Sequence, residues 1–337
     1  MSATMNDVAR LAGVSIKTVS NVVNDYPYIR ETTKQRVLAA IAELGYQVNP
    51  TARSLRSGRT GMIGLALPEL SLSYFAELAD LVMRAAVEHG LTVLIEQTEG
   101  ERDREIAMLS GSRRRMTDGL VFSPLGMEQP DVDLLRVDYP LVLLGERIFD
   151  GPADHVTMQN VAGARLATEH LIARGCRRIA AIGEHPGEQL GSATLRLDGY
   201  REALAAAGLP YDPALVGPAG LWHRQDGATA MGELLDAGVR PDGVVAFNDT
   251  LAFGAIYALQ QRGLRVPEDL LVVGFDDTDE AGFSLPPLTS INPSRDEIAR
   301  RAVELLVARI ASGPDAGPPV THHAGIRLVE RASSRRP

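Results

Sequence analysis

From Gly61 onward, short apolar runs alternate with helical stretches: GMIGLAL, LTVLIE, DGLVFS, PLVLLG, RRIAAIG, DGVVAF and LLVVGF. Unbroken Val/Ile/Leu runs separated by helices predict parallel strands buried on both faces. Helices are expected between them, for example over 76–89, 161–174 and 249–262. This pattern defines a doubly wound α/β architecture, and its length exceeds one common sheet, so two similar lobes are expected. The chain is expected to cross between lobes near Gln159-Asn160, near 288–292 and near 319–322. The first lobe then spans about 61–159 and 292–319, and the second about 160–288 and 320–333. A helix over 295–310 returns to the first lobe, 325–330 finishes in the second, and the ending ASSRRP reads as a frayed tail.

Residues 4–45 follow a different rule, with three short helices in 1–48 and no strand pattern. Thr4 and Asp7 suit a capping box, and Val8, Leu11 and Ala12 form a stripe that ends at Gly13. Ser15 caps a second helix with Val19, Val22 and Val23 on one face. A third runs from Glu31 to Leu44 with Val37, Ile41 and Leu44 in phase, closed by Gly45. Asn49-Pro50 opens a short helix in the 49–60 linker, which ends at Gly58.

Charge separates the same two parts. The net charge of −9 argues against nucleic acid, but residues 1–59 hold 8 Lys+Arg against 4 Asp+Glu, a net of +4. The remainder carries 26 against 39, a net of −13. A basic head on an acidic body is the distribution expected when only the head meets phosphate. The single cysteine, Cys176, excludes an intrachain disulfide and reads as a buried small hydrophobe. No signal-peptide core or membrane-length apolar stretch is present, so a cytoplasmic protein is expected.

The run Met5–Asn24, MNDVARLAGVSIKTVSNVVN, fits a helix-turn-helix position by position, with Ala9 small at the helix crossing and Gly13 at the turn. Followed by TTKQRVLAAIAELGYQVNPTARSLRSGRT and an α/β body, it resembles the lactose-repressor (LacI/GalR) family of bacterial regulators along essentially the whole chain. The resemblance implies an all-α helix-turn-helix head on a periplasmic-binding-protein-like body of two doubly wound lobes. It implies a DNA-binding transcription repressor, without a cofactor, controlled by a small molecule bound between the lobes. The implied partners are a near-palindromic double-stranded operator, a second copy of the chain, and a sugar or sugar phosphate, with a nucleobase or nucleoside as the other possible class. Tetramer and dimer both stay open, and the absence of a heptad tail favours the dimer.

By the same resemblance, Ile16, Lys17 and Asn21 stand where bases are read. Lys17 could donate to guanine, Asn21 could pair with adenine or a phosphate, and Ile16 could touch a thymine methyl. Ser15, Thr18, Ser20 and Asn24 suit phosphate contacts, which position without specifying. Within Pro50–Ser57, Leu55 is implied as a wedge in the minor groove, with Ala52 packed close and Arg53 and Arg56 near phosphates. Eight residues are too few for a stable isolated helix, so this segment is expected to form on DNA. A plain linker helix is the alternative.

Ligands of open α/β sheets bind at the carboxyl ends of strands. Polar and aromatic residues recur there: Glu69, Tyr74 and Phe75, Ser123, Glu146 and Arg147, Asn248, and Asp276 and Asp277. Carboxylates, amides, a guanidinium and aromatic faces suit a polyol. The resemblance implies ligand contacts at Arg196, Asn248 and Asp276, with Trp222 and Tyr74 or Phe75 as walls. Each has a competing role: Asn248 and Asp276 as helix caps, Trp222 as packing, Arg196 as partner of a surface carboxylate, and Glu146 paired with Arg147. The sequence departs from the family pattern in two places. Gln159 precedes Asn160 where relatives often carry Asp, and the loop GEHPGEQLGSATLRLDG has no purine-type or sugar-type signature.

Arg113-Arg114-Arg115 reads as a solvated helix end, and His322-His323 lacks a third ligand at useful spacing for a metal. No nucleophile elbow, Walker motif or dinucleotide fingerprint occurs. Two rivals remain: a cytoplasmic solute-binding module with an incidental helical head, which would show no salt-dependent DNA binding, and a doubly wound sugar kinase or dehydrogenase, which would show turnover with ATP or NAD.

Overall fold

The structure, a computed structural model, describes residues 3–23, 26–46, 59–110, 116–313 and 317–336. Two units result, Met1–Thr60 and Gly61–Pro337. Asn24, Ala52, Arg53, Leu55, Arg56 and the run 113–115 lie outside the described residues.

The head consists of helices Met5–Ala12, Ile16–Val23 and Glu31–Leu44. Thr4 and Asp7 form the reciprocal capping box, and the Thr4 hydrogen bonds hold the Asp7 carboxyl below its usual range. Gly13 (φ +61°) and Gly45 (φ +57°) end their helices in the left-handed region. Val8, Ala9, Ala12, Val19, Val22, Val37 and Ala40 close one small core. Among the described residues this unit has no strand.

In the body, β1 (Met62–Leu67), β2 (Thr92–Gln97), β3 (Leu120–Phe122), β4 (Leu141–Leu144) and β5 (Asp154–Thr157) build a first sheet. A second contains β6 (Ile179–Glu184), β7 (Val216–Pro218), β8 (Gly243–Ala246), β9 (Leu271–Phe275) and β10 (Thr289–Asn292). The chain then lends β11 (Thr321–His323) to the first sheet and β12 (Arg327–Val329) to the second. The strand orders are β2-β1-β3-β4-β5-β11 and β7-β6-β8-β9-β10-β12. Every pairing is parallel except β10 with β12. The helix Arg295–Ser312 packs its Ile298, Ala302, Val303 and Leu306 into the core of the first sheet.

Four expectations need correction. The crossing placed at 319–322 falls too early, because Thr321–His323 pairs in register with β5 and the chain leaves the first lobe only after His323. Similarly, β10 stays in the second lobe as far as Asn292. β2 is not buried on both faces: it is an edge strand, with Leu94 and Ile95 exposed. The tail is not frayed through Ser334. Ser333 accepts from Thr289 N (2.8 Å) and donates to Val272 O (2.7 Å), and Ser334 meets Thr289 Oγ1 and His170 Nε2, each at 2.7 Å.

Strand β5, Asp-His-Val-Thr, has no apolar run and was not anticipated, yet all four residues are buried. Asp154 accepts two hydrogen bonds from Arg309 (2.7 and 2.6 Å) and one from Val320 N (2.8 Å). His155 Nε2 meets Gly145 O at 2.6 Å. Buried polar side chains are tolerated in a strand when each has such a partner.

Candidate functional site

Between the lobes lies a cavity of about 430 Å³, lined from the carboxyl ends of strands in both sheets. Tyr74 and Phe75 at the start of helix Ser73–Glu88, Ser123 after β3 and Glu146 after β4 come from the first lobe. His185 after β6, Arg196 on helix Ser192–Ala206, Trp222, Asn248 and Asp276 come from the second. All six residues expected at the effector site line this one cavity. His185, Glu188, Ser192 and Thr250 join them unforeseen. His185 stands directly after an apolar strand, so the strand-end rule could have found it; Glu188 is placed by its partners alone.

Arg196 is the floor. Its side chain is 3% exposed, Nε donates to Asn160 Oδ1 (2.7 Å), Nη1 to Phe247 O, and Nη2 lies 3.8 Å from Asp276 Oδ1. The guanidinium stacks 3.7 Å from the Phe275 ring and 5.1 Å from that of Trp222. Burial lowers its proton affinity, and the carboxylates of Asp276 and Glu146 oppose that. The surface-carboxylate alternative does not hold, since both partners are buried.

Asp276 sits at φ +106°, and Asp277 and Trp222 at +50° and +61°. Such conformations cost about 1–3 kcal/mol each in a residue with a side chain, and they concentrate where a fold must aim a functional group. Burial pushes the Asp276 carboxyl up to about 6, with Arg196 and Arg295 restraining the rise. Asn248 does cap helix Asp249–Gln261, accepting from Leu251 N at 2.7 Å, while Nδ2 reaches Trp222 O at 3.3 Å. Its capping role and its place in the cavity wall coexist. The Trp222 indole donates to Gly183 O (2.9 Å), which fixes the ring against the cavity. Burial raises the Tyr74 hydroxyl and the charges of Asp276 and Glu146 add to it, leaving a neutral O–H.

Glu146 and Arg147 do not pair with each other. Glu146 accepts from Thr157 Oγ1 and Met158 N, both at 3.1 Å, and from Ser192 Oγ of the other lobe at 2.8 Å. Arg147 crosses to Glu188 at 3.0 Å. Burial works against ionisation of Glu188, but the hydrogen bond from His185 and the charge of Arg147 outweigh it and lower its pKa. Further links cross the cleft, among them His223 to Glu69 at 2.9 Å, Asp279 N to Glu77 Oε1 at 3.0 Å and Arg295 Nη2 to Asp277 O at 3.0 Å. Gln159 joins two crossings by donating to Ala324 O at 2.8 Å.

In the head, Ser15, Ile16 and Lys17 are exposed at the start of the second helix, and Thr18 and Asn21 are half-buried. Ser15 Oγ accepts from Thr18 N at 3.1 Å, so it caps that helix. Ser20 is largely buried, with 6% of its surface exposed. Exposed Tyr26 and Tyr28, edge to face at 5.6 Å, flank the same helix and were not anticipated.

Among the described residues no helix is long and apolar enough to cross a membrane, and no group of three His, Cys, Asp or Glu could hold a metal. His322 is paired with Glu297 at 2.8 Å. Cys176 is buried, and burial pushes its thiol up to about 11.

A three-helix reader at one end and a two-lobed α/β cleft in the remainder define a ligand-responsive DNA-binding transcription regulator. Comparison with known proteins gives the particular family. Residues 4–49 match the bacterial regulatory proteins of the lacI family, and residues 168–334 match a periplasmic binding protein-like domain. The ribose operon repressor of Escherichia coli K12 is 37% identical over 310 residues, spanning 91% of this chain and 93% of its own. A LacI-family regulator from Sanguibacter keddieii is 50% identical with a TM-score of 0.77, covering 82% of this chain and 99% of that one. The Lac repressor dimer bound to operator and the anti-inducer ONPF is 27% identical with a TM-score of 0.85 over 99% of each chain. The chain belongs to the lacI family of bacterial regulatory proteins.

Proposed function

We propose that this protein is a cytoplasmic, non-enzymatic repressor whose operator affinity is set by a neutral carbohydrate in the interlobe cleft. The observation that carries the ligand class is the balance of charge in the cavity wall. Glu101, Glu146, Glu188 and Asp276 line it, with Glu99 paired to Arg104, against Arg147 and Arg196, which already oppose Glu188 and Asp276. A phosphate dianion would meet excess negative charge, whereas hydroxyls can donate to carboxylates and stack their C–H faces on Trp222 and Phe75. The name of the ribose operon repressor, 37% identical, supports a sugar of pentose size.

The reading assigns Ile16, Lys17 and Asn21 to base edges, Ser15, Thr18, Ser20 and Asn24 to the backbone, and Ala52, Arg53, Leu55 and Arg56 to the hinge at the minor groove. Tyr74, Phe75, Arg196, Trp222, Asn248 and Asp276 hold the effector. A homodimer, as in the Lac repressor complex, matches the two-fold axis of a near-palindromic operator. The domain division follows: head to 48, linker 49–60, sensor from 61. Ligand binding alters the links Glu146–Ser192, Arg147–Glu188 and Glu69–His223, shifting lobe closure and the spacing of the heads. A coupling of about 1–3 kcal/mol suffices for regulation.

Operator fragments selected from a random pool, titrated by fluorescence anisotropy with and without D-ribose, other aldoses and their phosphates, test this reading. The expected outcome is that one uncharged sugar changes DNA affinity and its phosphate does not. Response to a phosphorylated sugar alone would overturn the neutral class, and absence of salt-dependent DNA binding would overturn the repressor.

A further inference from the structure

We propose that His185 is a specificity residue of the cleft, whose Nε2 accepts the hydrogen of one sugar hydroxyl. The inference rests on the carbohydrate reading above and adds a contact on this chain's own loop. Nδ1 of His185 lies 3.0 Å from Glu188 Oε2, and the Glu188 side chain is only 4% exposed. An ionised carboxylate accepts and cannot donate, so Nδ1 carries the hydrogen. In the neutral imidazole the lone pair is then on Nε2. That nitrogen is buried and without a hydrogen-bond partner, although the residue lines the cavity. Buried polar atoms in native proteins are nearly always satisfied, and an orphan calls for a missing partner.

The ring is held on the other sides too. It lies 5.2 Å from the Trp222 ring, and Glu188 also accepts from Thr194 N (3.1 Å) and pairs with Arg147 of the first lobe (3.0 Å). A hydroxyl seated on Nε2 is therefore linked through His185 and Glu188 to a residue across the cleft. A fixed acceptor discriminates between a hydroxyl, which has a hydrogen to give, and an ether or a deoxy position, which does not.

The test is calorimetric titration of the full-length protein, His185→Ala and His185→Gln with D-ribose, D-xylose, D-glucose and D-galactose. It is followed by the single-deoxy and O-methyl analogues of whichever sugar binds. Thermal unfolding checks that each variant is folded. We expect His185→Ala to weaken the sugar at least tenfold and His185→Gln, whose amide reaches the same place, to recover part of it. One hydroxyl position should cost the wild type affinity on removal and cost His185→Ala nothing. A merely structural role for His185 would leave every such penalty unchanged between the two proteins, and that result, or wild-type affinity in folded His185→Ala, overturns the inference alone. Failure of all four sugars to bind the wild type overturns the carbohydrate reading and this inference with it.

Discussion

Arg196 Nη2 and Asp276 Oδ1 stand 3.8 Å apart on the floor of the cleft. That distance is too long for a hydrogen bond and short enough for strong attraction between two buried charges. Nε and Nη1 of the same guanidinium are already committed to Asn160 and Phe247. Arg196 thus limits the rise that burial imposes on this carboxyl, which keeps acceptor capacity toward the cavity. A charge arranged in this way is ready for a hydroxyl donor and costs no rearrangement on binding.

Asp276 therefore makes ligand affinity pH-dependent. Its carboxyl titrates at about 6, and only the ionised form offers both oxygens. Sugar affinity should be flat above pH 7 and fall as the pH drops through 6 toward 5. In Asp276→Asn it should be at least tenfold weaker at pH 7.5 and fall less steeply with acidification. Calorimetric titrations at three pH values check both statements.

Asp249 makes folding stability pH-dependent. Burial pushes this carboxyl up to about 8, far above the usual carboxylate range, with hydrogen bonds from Ser290 and Thr278 opposing the rise. The native state keeps the proton to about pH 8, whereas the unfolded chain releases it near 3.8. The native state therefore binds more protons in this window, and stability falls as the pH rises through it. Urea denaturation at pH 5, 7 and 9 should show that decline in the wild type and a shallower one in Asp249→Asn.

Helices Arg224–Asp236 and Asp249–Gln261 meet backbone to backbone through two glycines. A Cβ added at Gly254 would lie 1.9 Å from Arg224 O, and one at Gly227 would lie 2.2 Å from Leu251 O. Gly254→Ala should destabilise the body by about 1–3 kcal/mol through overpacking, despite the better helix propensity of alanine. The denaturation midpoint reads this directly. An unchanged or raised midpoint would mean that the helices can separate without cost.

Lys17 is exposed at the start of the second head helix. Lys17→Ala should weaken operator binding about tenfold or more and relax the preference for one base pair, consistent with about 1–3 kcal/mol for a base-edge contact. Competition between operator and single-base variants separates this outcome from a backbone contact, whose loss would weaken all sequences alike.

What the chain alone determined was local. The head was legible because its signals act over three or four residues: Thr4 on Asp7, Gly13 and Gly45 in the left-handed region, Val19 and Val22 on one face. The central strands were legible because burial on both faces demands continuous apolar runs, and Tyr74, Phe75, Asn248 and Asp276 stand beyond the ends of such runs, whereas Arg196 on its helix and Trp222 in its loop were implied by the family resemblance. Tertiary structure decided what depends on distant partners. Asp154 can be buried in β5 because Arg309 arrives from 155 residues away, and Thr289, 44 and 45 positions earlier, gives Ser333 and Ser334 their places. Glu188 is held in the site by His185 and Thr194 and by Arg147, which meets it from the other lobe. A polar side chain in sequence reads as solvent-facing until the groups that satisfy it are in place. Those groups are set by the folding of the whole body rather than by neighbours along the chain.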